Sequence, residues 1–278
     1  MSIAYYNGKF SDLPSVRVSL SDRALFFGDG VYDAAIGRGG GIYMEAEHVE
    51  RFIGNTEKLD LALPYSREEL SRLLHEAIRE SGESSYFVYF HLTRRLPERR
   101  HAYPVGCESN FLITVTPLAM PNPEKRLSLV TYEDLRYYYC NVKTLNLLPS
   151  VLASAYAERR GADEAVFHRG KTVTECAHSN VSILKGGTLF THPTGRLILP
   201  GTARARLIAE CHTLGVPVKK VPFTLDELRC ADEVIVTSST RLAQMASTLD
   251  SHPVGGGDTA LGERLCEGIY RDFLQNTV

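Results

Sequence analysis

Thr116-Pro117-Leu118-Ala119-Met120-Pro121-Asn122-Pro123-Glu124-Lys125-Arg126 carries three prolines in a short polar stretch. Proline fixes φ and lacks a backbone N–H, so neither a helix nor a central strand runs through it. Read as a linker over 119–126, it separates a small N-terminal α/β domain, 1–118, from a larger C-terminal α/β domain, 127–278. The length of 278 residues agrees, since single domains cluster at ~100–150 residues. The fold class expected is mixed α+β in two domains.

On the N-terminal side, Asn7-Gly8 between extended flanks predicts a two-residue hairpin. Val16–Leu20 alternates with period two and predicts a strand. Val31–Ile36 and Ile42-Tyr43 flank the glycine-rich Gly37–Gly41, a second hairpin. Val49, Phe52, Ile53, Thr56 and Leu59 follow a helical period within Glu47–Leu59. Ser66-Arg67-Glu68-Glu69 is a capping box for a helix to about Gly82, with Leu70, Leu73, Leu74, Ala77 and Ile78 as its buried stripe. Tyr86–Thr93 and Asn110–Val115 have strand composition.

On the C-terminal side, Leu127–Thr131, Glu164–His168, Asn180–Leu184 and Glu233–Val236 read as strands. Pro149–Arg160 reads as a helix, with proline at its first position and Gly161 beyond its end. Thr202–Leu214, a short helix after the capping box Thr224–Glu227, and Leu261–Gln275 complete the helices.

Composition removes several function classes. Thirty-one basic and 33 acidic side chains leave a net charge of −2, which offers no electrostatic reason to expect nucleic acid or an anionic membrane. No apolar run approaches the ~18–20 residues of a membrane span. The opening MSIAYYNGKF has no charged and apolar signal pattern, so no secretory leader is expected. Cys107, Cys140, Cys176, Cys211, Cys230 and Cys266 show no metal-ligand spacing and read as free thiols of a cytoplasmic protein, and the nine histidines form no cluster, so no metal is expected.

Four segments could carry chemistry. Eight lysines stand against 23 arginines, and Lys143 alone lies in an extended apolar stretch, Asn141–Leu148, just before a helix. Desolvation there would lower its amine pKa and suit Schiff-base chemistry; the alternative is an amine snorkelling from a strand end. Pro200–Arg204 at a helix start and Thr237–Thr240 after a buried strand could each cradle a phosphate, or be an ordinary cap and turn. Glu175 among small and polar residues could keep a pyridine nitrogen protonated, or be a surface glutamate. Arg99 and His101 are spaced to reach one carboxylate from an extended segment, or belong to a solvated basic loop.

Three stretches, in this order, resemble the class IV pyridoxal-phosphate aminotransferases: Ser21–Tyr32, Lys143–Leu148, and Phe167 through Asn180. Within that family the likeness is to the bacterial D-amino-acid enzymes and runs along nearly the whole chain. Their joint occurrence favours the cofactor reading of Lys143. The resemblance implies a two-domain fold of type IV with its active site at the domain interface, and pyridoxal 5′-phosphate as cofactor. It implies that Lys143 carries the cofactor as a Schiff base, Glu175 pairs with the pyridine nitrogen and Arg51 binds the phosphate. Thr202, Ala203, Ser238 and Ser239 sit where the family contacts phosphate. Tyr32, Arg99 and His101 would trap the substrate α-carboxylate, the Arg–His loop coming from the neighbouring subunit of a homodimer. The reaction implied moves the amino group of a D-alanine-like donor to 2-oxoglutarate, giving pyruvate and D-glutamate.

Departures stand beside the likeness. Ala177 and His178 replace small serines, and Thr202 and Ala203 replace a larger apolar residue and a threonine, which bears on cofactor retention and substrate fit. Arg100, between the two carboxylate binders, adds a charge that would broaden acceptance toward dicarboxylates. Aminodeoxychorismate lyase, to which Glu175-Cys176-Ala177 bears a slight resemblance, is the runner-up within the family. An L-branched-chain aminotransferase follows it, and Arg99 and His101 argue against both. A non-catalytic cofactor-binding protein is the reading from another class; Lys143, Glu175, Arg51 and Tyr32 together oppose it.

Overall fold

The computed structural model describes residues 2–277. The chain forms two compact units: one runs up to Met120 and takes back residues 142–146 and the tail from Leu274, the other comprises Pro121–Asn141 and Leu147–Phe273. The expected C-terminal block, 127–278, is therefore interrupted around Lys143. The cause is backbone pairing. Thr144 bridges Val31, the Tyr32 N–H donates to the Lys143 carbonyl at 2.9 Å, and the Leu145 N–H donates to Gly30 at 3.1 Å.

The first unit contains β1 (Ile3–Tyr6), β2 (Lys9–Asp12), α1 (Ala24–Phe27), β3 (Gly30–Arg38), β4 (Gly41–Ile42), α2 (Glu45–Lys58), α3 (Arg67–Ser81), β5 (Ser85–Arg94) and β6 (Ser109–Pro117). Its strands form an antiparallel sheet in the order β2-β1-β6-β5-β3-β4. Asn7 and Gly8 both have positive φ (47° and 93°), the conformation a two-residue hairpin turn requires. The α3 capping box forms as expected: Ser66 accepts from the Glu69 N–H, and Glu69 accepts from the Ser66 N–H. Val49 and Phe52 of α2 and Leu70, Leu74 and Ile78 of α3 bury against Val31, Val88, Phe90, Phe111 and Ile113 of the sheet. The strand expected over Val16–Leu20 does not form. A 3-10 turn, Leu13–Ser15, precedes it, and Val18 and Leu20 are 48% and 78% exposed. Period-two alternation makes a strand only where a neighbour supplies hydrogen bonds.

The second unit contains β7 (Leu127–Glu133), α4 (Leu148–Arg159), β8 (Glu164–Arg169), β9 (Thr172–Cys176), β10 (Asn180–Lys185), β11 (Thr188–Thr191), α5 (Thr202–Thr213), β12 (Val218–Lys220), α6 (Leu225–Arg229), β13 (Glu233–Ser238), β14 (Leu242–Leu249), β15 (His252–Pro253) and α7 (Thr259–Gln275). The sheet runs β12-β11-β10-β13-β14-β7-β8-β9, with β15 paired to β14. β7 is parallel to both β14 and β8, so the sheet is mixed. Its interior holds Leu127, Leu129, Val166, Val181, Ile183, Val234 and Val236. β14 buries Leu242–Ala246 in unbroken succession, so it shows no alternation for the periodicity to mark. No helix among the described residues is long and apolar enough to cross a membrane.

Candidate active site

In the first unit the candidate residues gather on β3. Successive side chains of a strand point to opposite faces, so Tyr32 and Asp33 serve different neighbours. The Tyr32 ring lies 4.3 Å from Lys143 Nζ and stacks on Tyr89 at 5.4 Å between centroids. The Tyr89 hydroxyl is 3.1 Å from His91 Nδ1. Burial, joined by the nearby Tyr32, raises the Tyr89 phenol above its ordinary range. Burial also pushes His91 down to about 4, against the pull of Asp22, so a neutral imidazole faces this cluster at pH 7.

Asp33 points the other way and is fully buried. Arg51 Nε and Nη2 donate to its two oxygens, each at 2.8 Å, and His48 Nδ1 is 2.7 Å from Oδ1. Burial alone would raise the Asp33 carboxyl, but the charges and hydrogen bonds of Arg51 and His48 overcome it and hold the group well below the usual range. Arg51 is thereby fixed on α2. Neither Asp33 nor His48 was marked by motif; the signal available is a carboxylate inside an apolar strand run, which must be paired if buried.

Arg99 and His101 occupy an exposed loop of the same unit. The Arg99 guanidinium lies 5.2 Å from the Phe27 ring centroid and the His101 ring 5.3 Å from it, while Arg23 donates to the carbonyls of Arg100 and His101. The loop thus rests on α1, and it does not bring Arg99 or His101 into hydrogen bonding with Tyr32.

In the second unit Glu175, at the end of β9, is buried. Arg136 Nη1 donates to Oε1 at 2.5 Å; Asn180 Nδ2 and the Leu199 N–H donate to Oε2 at 2.8 and 3.0 Å. Arg136 is itself gripped by Asp134, which also accepts from Arg169 and Thr174. Burial pushes Glu175 up to about 7, with Arg136 and the Leu199 N–H pulling it back. Its proton is therefore exchangeable near neutrality. Arg136 and Asn180 are functional neighbours that spacing alone does not reveal, since one lies 39 residues away in sequence.

Thr202 and Ala203 open α5 and are buried. Gly201 precedes them, and a Cβ there would run into the Asn180 side chain. Ser238 ends β13 and Ser239 opens the turn after it; the Ser238 hydroxyl accepts from the Arg241 N–H at 3.2 Å. The adjacent Thr237 hydroxyl is buried with no hydrogen-bond partner. Ala177 is buried beside Glu175, whereas His178 is half-exposed and sits 3.0 Å from Glu164. Two groups result: Lys143 with Tyr32, whose neighbour Asp33 holds Arg51; and Glu175 with Asn180, against which Gly201 packs, and the 177–179 turn.

The sequence pattern of the family described as amino-transferase class IV matches residues 30–247. The chain is 37% identical over 256 residues to the D-alanine aminotransferase of Listeria monocytogenes serotype 4b (strain F2365), covering 90% of this chain and 89% of that one. Among solved structures, the branched-chain aminotransferase of the archaeon Thermoproteus uzoniensis with norvaline has TM-score 0.91 at 22% identity, over 99% of this chain and 95% of that one. A putative 4-amino-4-deoxychorismate lyase of Legionella pneumophila has TM-score 0.85 at 22% identity, over 93% and 96%. At such identity the two solved structures speak for the shared fold, which is the type IV fold expected. With the family pattern spanning most of its length and a relative at that identity over nine-tenths of it, this chain belongs to the class IV aminotransferases.

Proposed function

We propose that the protein transfers the amino group of a D-amino acid such as D-alanine to 2-oxoglutarate, giving pyruvate and D-glutamate, with pyridoxal 5′-phosphate as cofactor. The observation that carries the reading is the Lys143 amine, paired through its backbone to β3 and standing 4.3 Å from the Tyr32 ring. The residues fit the cofactor chemically. A buried carboxylate at Glu175 suits a pyridine nitrogen, and the unpartnered Thr237 hydroxyl beside the Ser238–Ser239 turn suits an oxygen-rich ligand.

When bound, this cofactor supplies an aldehyde that condenses with a primary amine and a ring that takes up negative charge from the α-carbon. Lys143 would hold the cofactor through its Nζ, and that amine, when free, would serve as the base that takes up the substrate α-proton. Glu175, held in place by Arg136, Asn180 and the Leu199 N–H, would pair with the pyridine nitrogen. Arg51, aimed by Asp33, binds the phosphate with the backbone at Thr202 and Ala203 and the hydroxyls of Ser238 and Ser239. Ala177 and His178 line the ring. Tyr32, Arg99 and His101 hold the α-carboxylate, and fixing that group decides which enantiomer presents its α-hydrogen to the lysine.

Arg99 and His101 rest on the outside of their own unit, as a trap completed by a second copy requires. α4 exposes Leu148, Val151 and Leu152 along one face, an apolar strip of the kind that pairs subunits. Both features support a homodimer. Six free cysteines among the described residues support a cytoplasmic setting.

Incubation with D-alanine and 2-oxoglutarate should yield pyruvate. Turnover of L-leucine in its place would assign the L-branched-chain activity, and pyruvate from aminodeoxychorismate without any oxo acid would assign the lyase.

A further inference from the structure

Glu164 begins β8, and its side chain is wholly buried. Its Oε2 receives the Ser179 hydroxyl at 2.8 Å and His178 Nε2 at 3.0 Å, while the Ala165 N–H donates to Oε1 at 3.1 Å. The Ala177 N–H donates to the Ala165 carbonyl at 2.9 Å. Three consecutive residues of the 177–179 turn are thus tied to the start of β8. That turn is bracketed by Glu175 and Asn180, which bond to each other at 2.8 Å. One residue earlier, the Asp163 carbonyl accepts from Arg241 Nη2 at 2.9 Å, and Arg241 also caps Ser238. The Asp163–Glu164 pair therefore joins the turn after Glu175 to the turn after β13.

We propose that Glu164 is a positioning residue for the cofactor cradle: by gripping His178 and Ser179 it fixes the turn between Glu175 and Asn180 in the shape that receives the pyridine ring. The inference rests on the cofactor reading above and adds to it the role of His178. A buried carboxylate needs a charged or well-donating partner, and His178 Nε2, 3.0 Å away on a side chain 48% exposed, supplies one. The other groups around Glu164 are fixed. Arg241 brings a positive charge, the Cys176 thiol is held protonated by burial, and the Asp163 carboxylate is taken by Lys125 and Ser128. Burial pushes Glu164 up to about 7, with Ser179 and Arg241 opposing, so the grip depends on pH in the neutral range.

The test titrates cofactor-free protein with pyridoxal 5′-phosphate, followed by absorbance, for wild type, His178→Ser, Glu164→Gln and the double variant. At about pH 8, where Glu164 is ionised, each single change should weaken binding about tenfold, and the double variant no further, because both remove one contact. The gap between wild type and His178→Ser should shrink toward pH ~5.5, where the Glu164 carboxyl, pushed up to about 7, is protonated. Unchanged affinity in His178→Ser, multiplying losses in the double variant, or a gap independent of pH would each overturn the proposal. His178→Ser alters a half-exposed side chain, so its affinity and pH trend decide the matter even if Glu164→Gln does not fold. Wild-type protein that binds no cofactor would instead overturn the functional reading, and this inference with it.

Discussion

Arg51 on α2 and Asp33 on β3 are joined by two hydrogen bonds of 2.8 Å, Nε to Oδ2 and Nη2 to Oδ1. The contact ties the helix carrying the phosphate candidate to the strand carrying Tyr32. Asp33→Asn leaves a buried guanidinium without its counter-charge, and the expected loss is about 3–5 kcal/mol. The native Asp33 carboxyl sits below its ordinary value, so its stabilisation is complete above ~pH 4 and is lost as pH falls further. Urea unfolding at neutral and acid pH checks both points: the gap between variant and wild type should narrow in acid.

Lys143→Ala should abolish transamination and the lysine-dependent absorbance of bound cofactor. Borohydride treatment followed by mass measurement should add the reduced cofactor to the wild-type chain and nothing to the variant. A cofactor fixed to the variant would remove Lys143 from its assigned role.

Arg136 lies 2.5 Å from Glu175 and opposes the effect of burial on it. Arg136→Met removes the chief opposition to burial and leaves only the neutral donors of Asn180 and Leu199, so the Glu175 carboxyl rises above about 7 and is protonated at neutral pH. The acid limb of the kcat–pH profile should move to higher pH. A profile superimposable on wild type is the contrary outcome.

Arg99 is exposed and stacks on Phe27. Arg99→Ala should raise KM for D-alanine about 10- to 100-fold, the worth of a charge-assisted hydrogen bond at ~1.5–3 kcal/mol. The melting temperature should stay within a degree or so of wild type, because surface changes act within about ±0.5 kcal/mol. Steady-state kinetics and a thermal melt distinguish a lost substrate contact from general damage.

Gly201 stands where a Cβ would collide with the Asn180 side chain. Its φ of −68° suits any residue, so the constraint is space. Gly201→Ala should displace Asn180 from Glu175, costing about 1–3 kcal/mol of stability and weakening cofactor retention. Chemical denaturation and a cofactor titration measure the two effects.

Local chemistry explains which elements were readable in the sequence. The Asn7-Gly8 turn and the capping boxes at Ser66 and Thr224 act within four residues, and each appears in the structure where its residues predict it. Val16–Leu20 has the alternation of a strand and no partner, so it stays irregular. β14 has the partners but little alternation, and its place between β13 and β7 comes from the sheet.

The same division runs through the candidate site. Local context in the linear string singled out Lys143 and Glu175 as candidates, and the family resemblance added Arg51 and Tyr32. Only the folded chain decided that Asp33 aims Arg51, that Arg136 and Asn180 share Glu175, and that Glu164 receives His178. Each of those links satisfies a charge withdrawn from water. The identity of a buried group's partner is set by which strands and helices bring it within about 3 Å, a fact that no stretch of neighbouring residues contains.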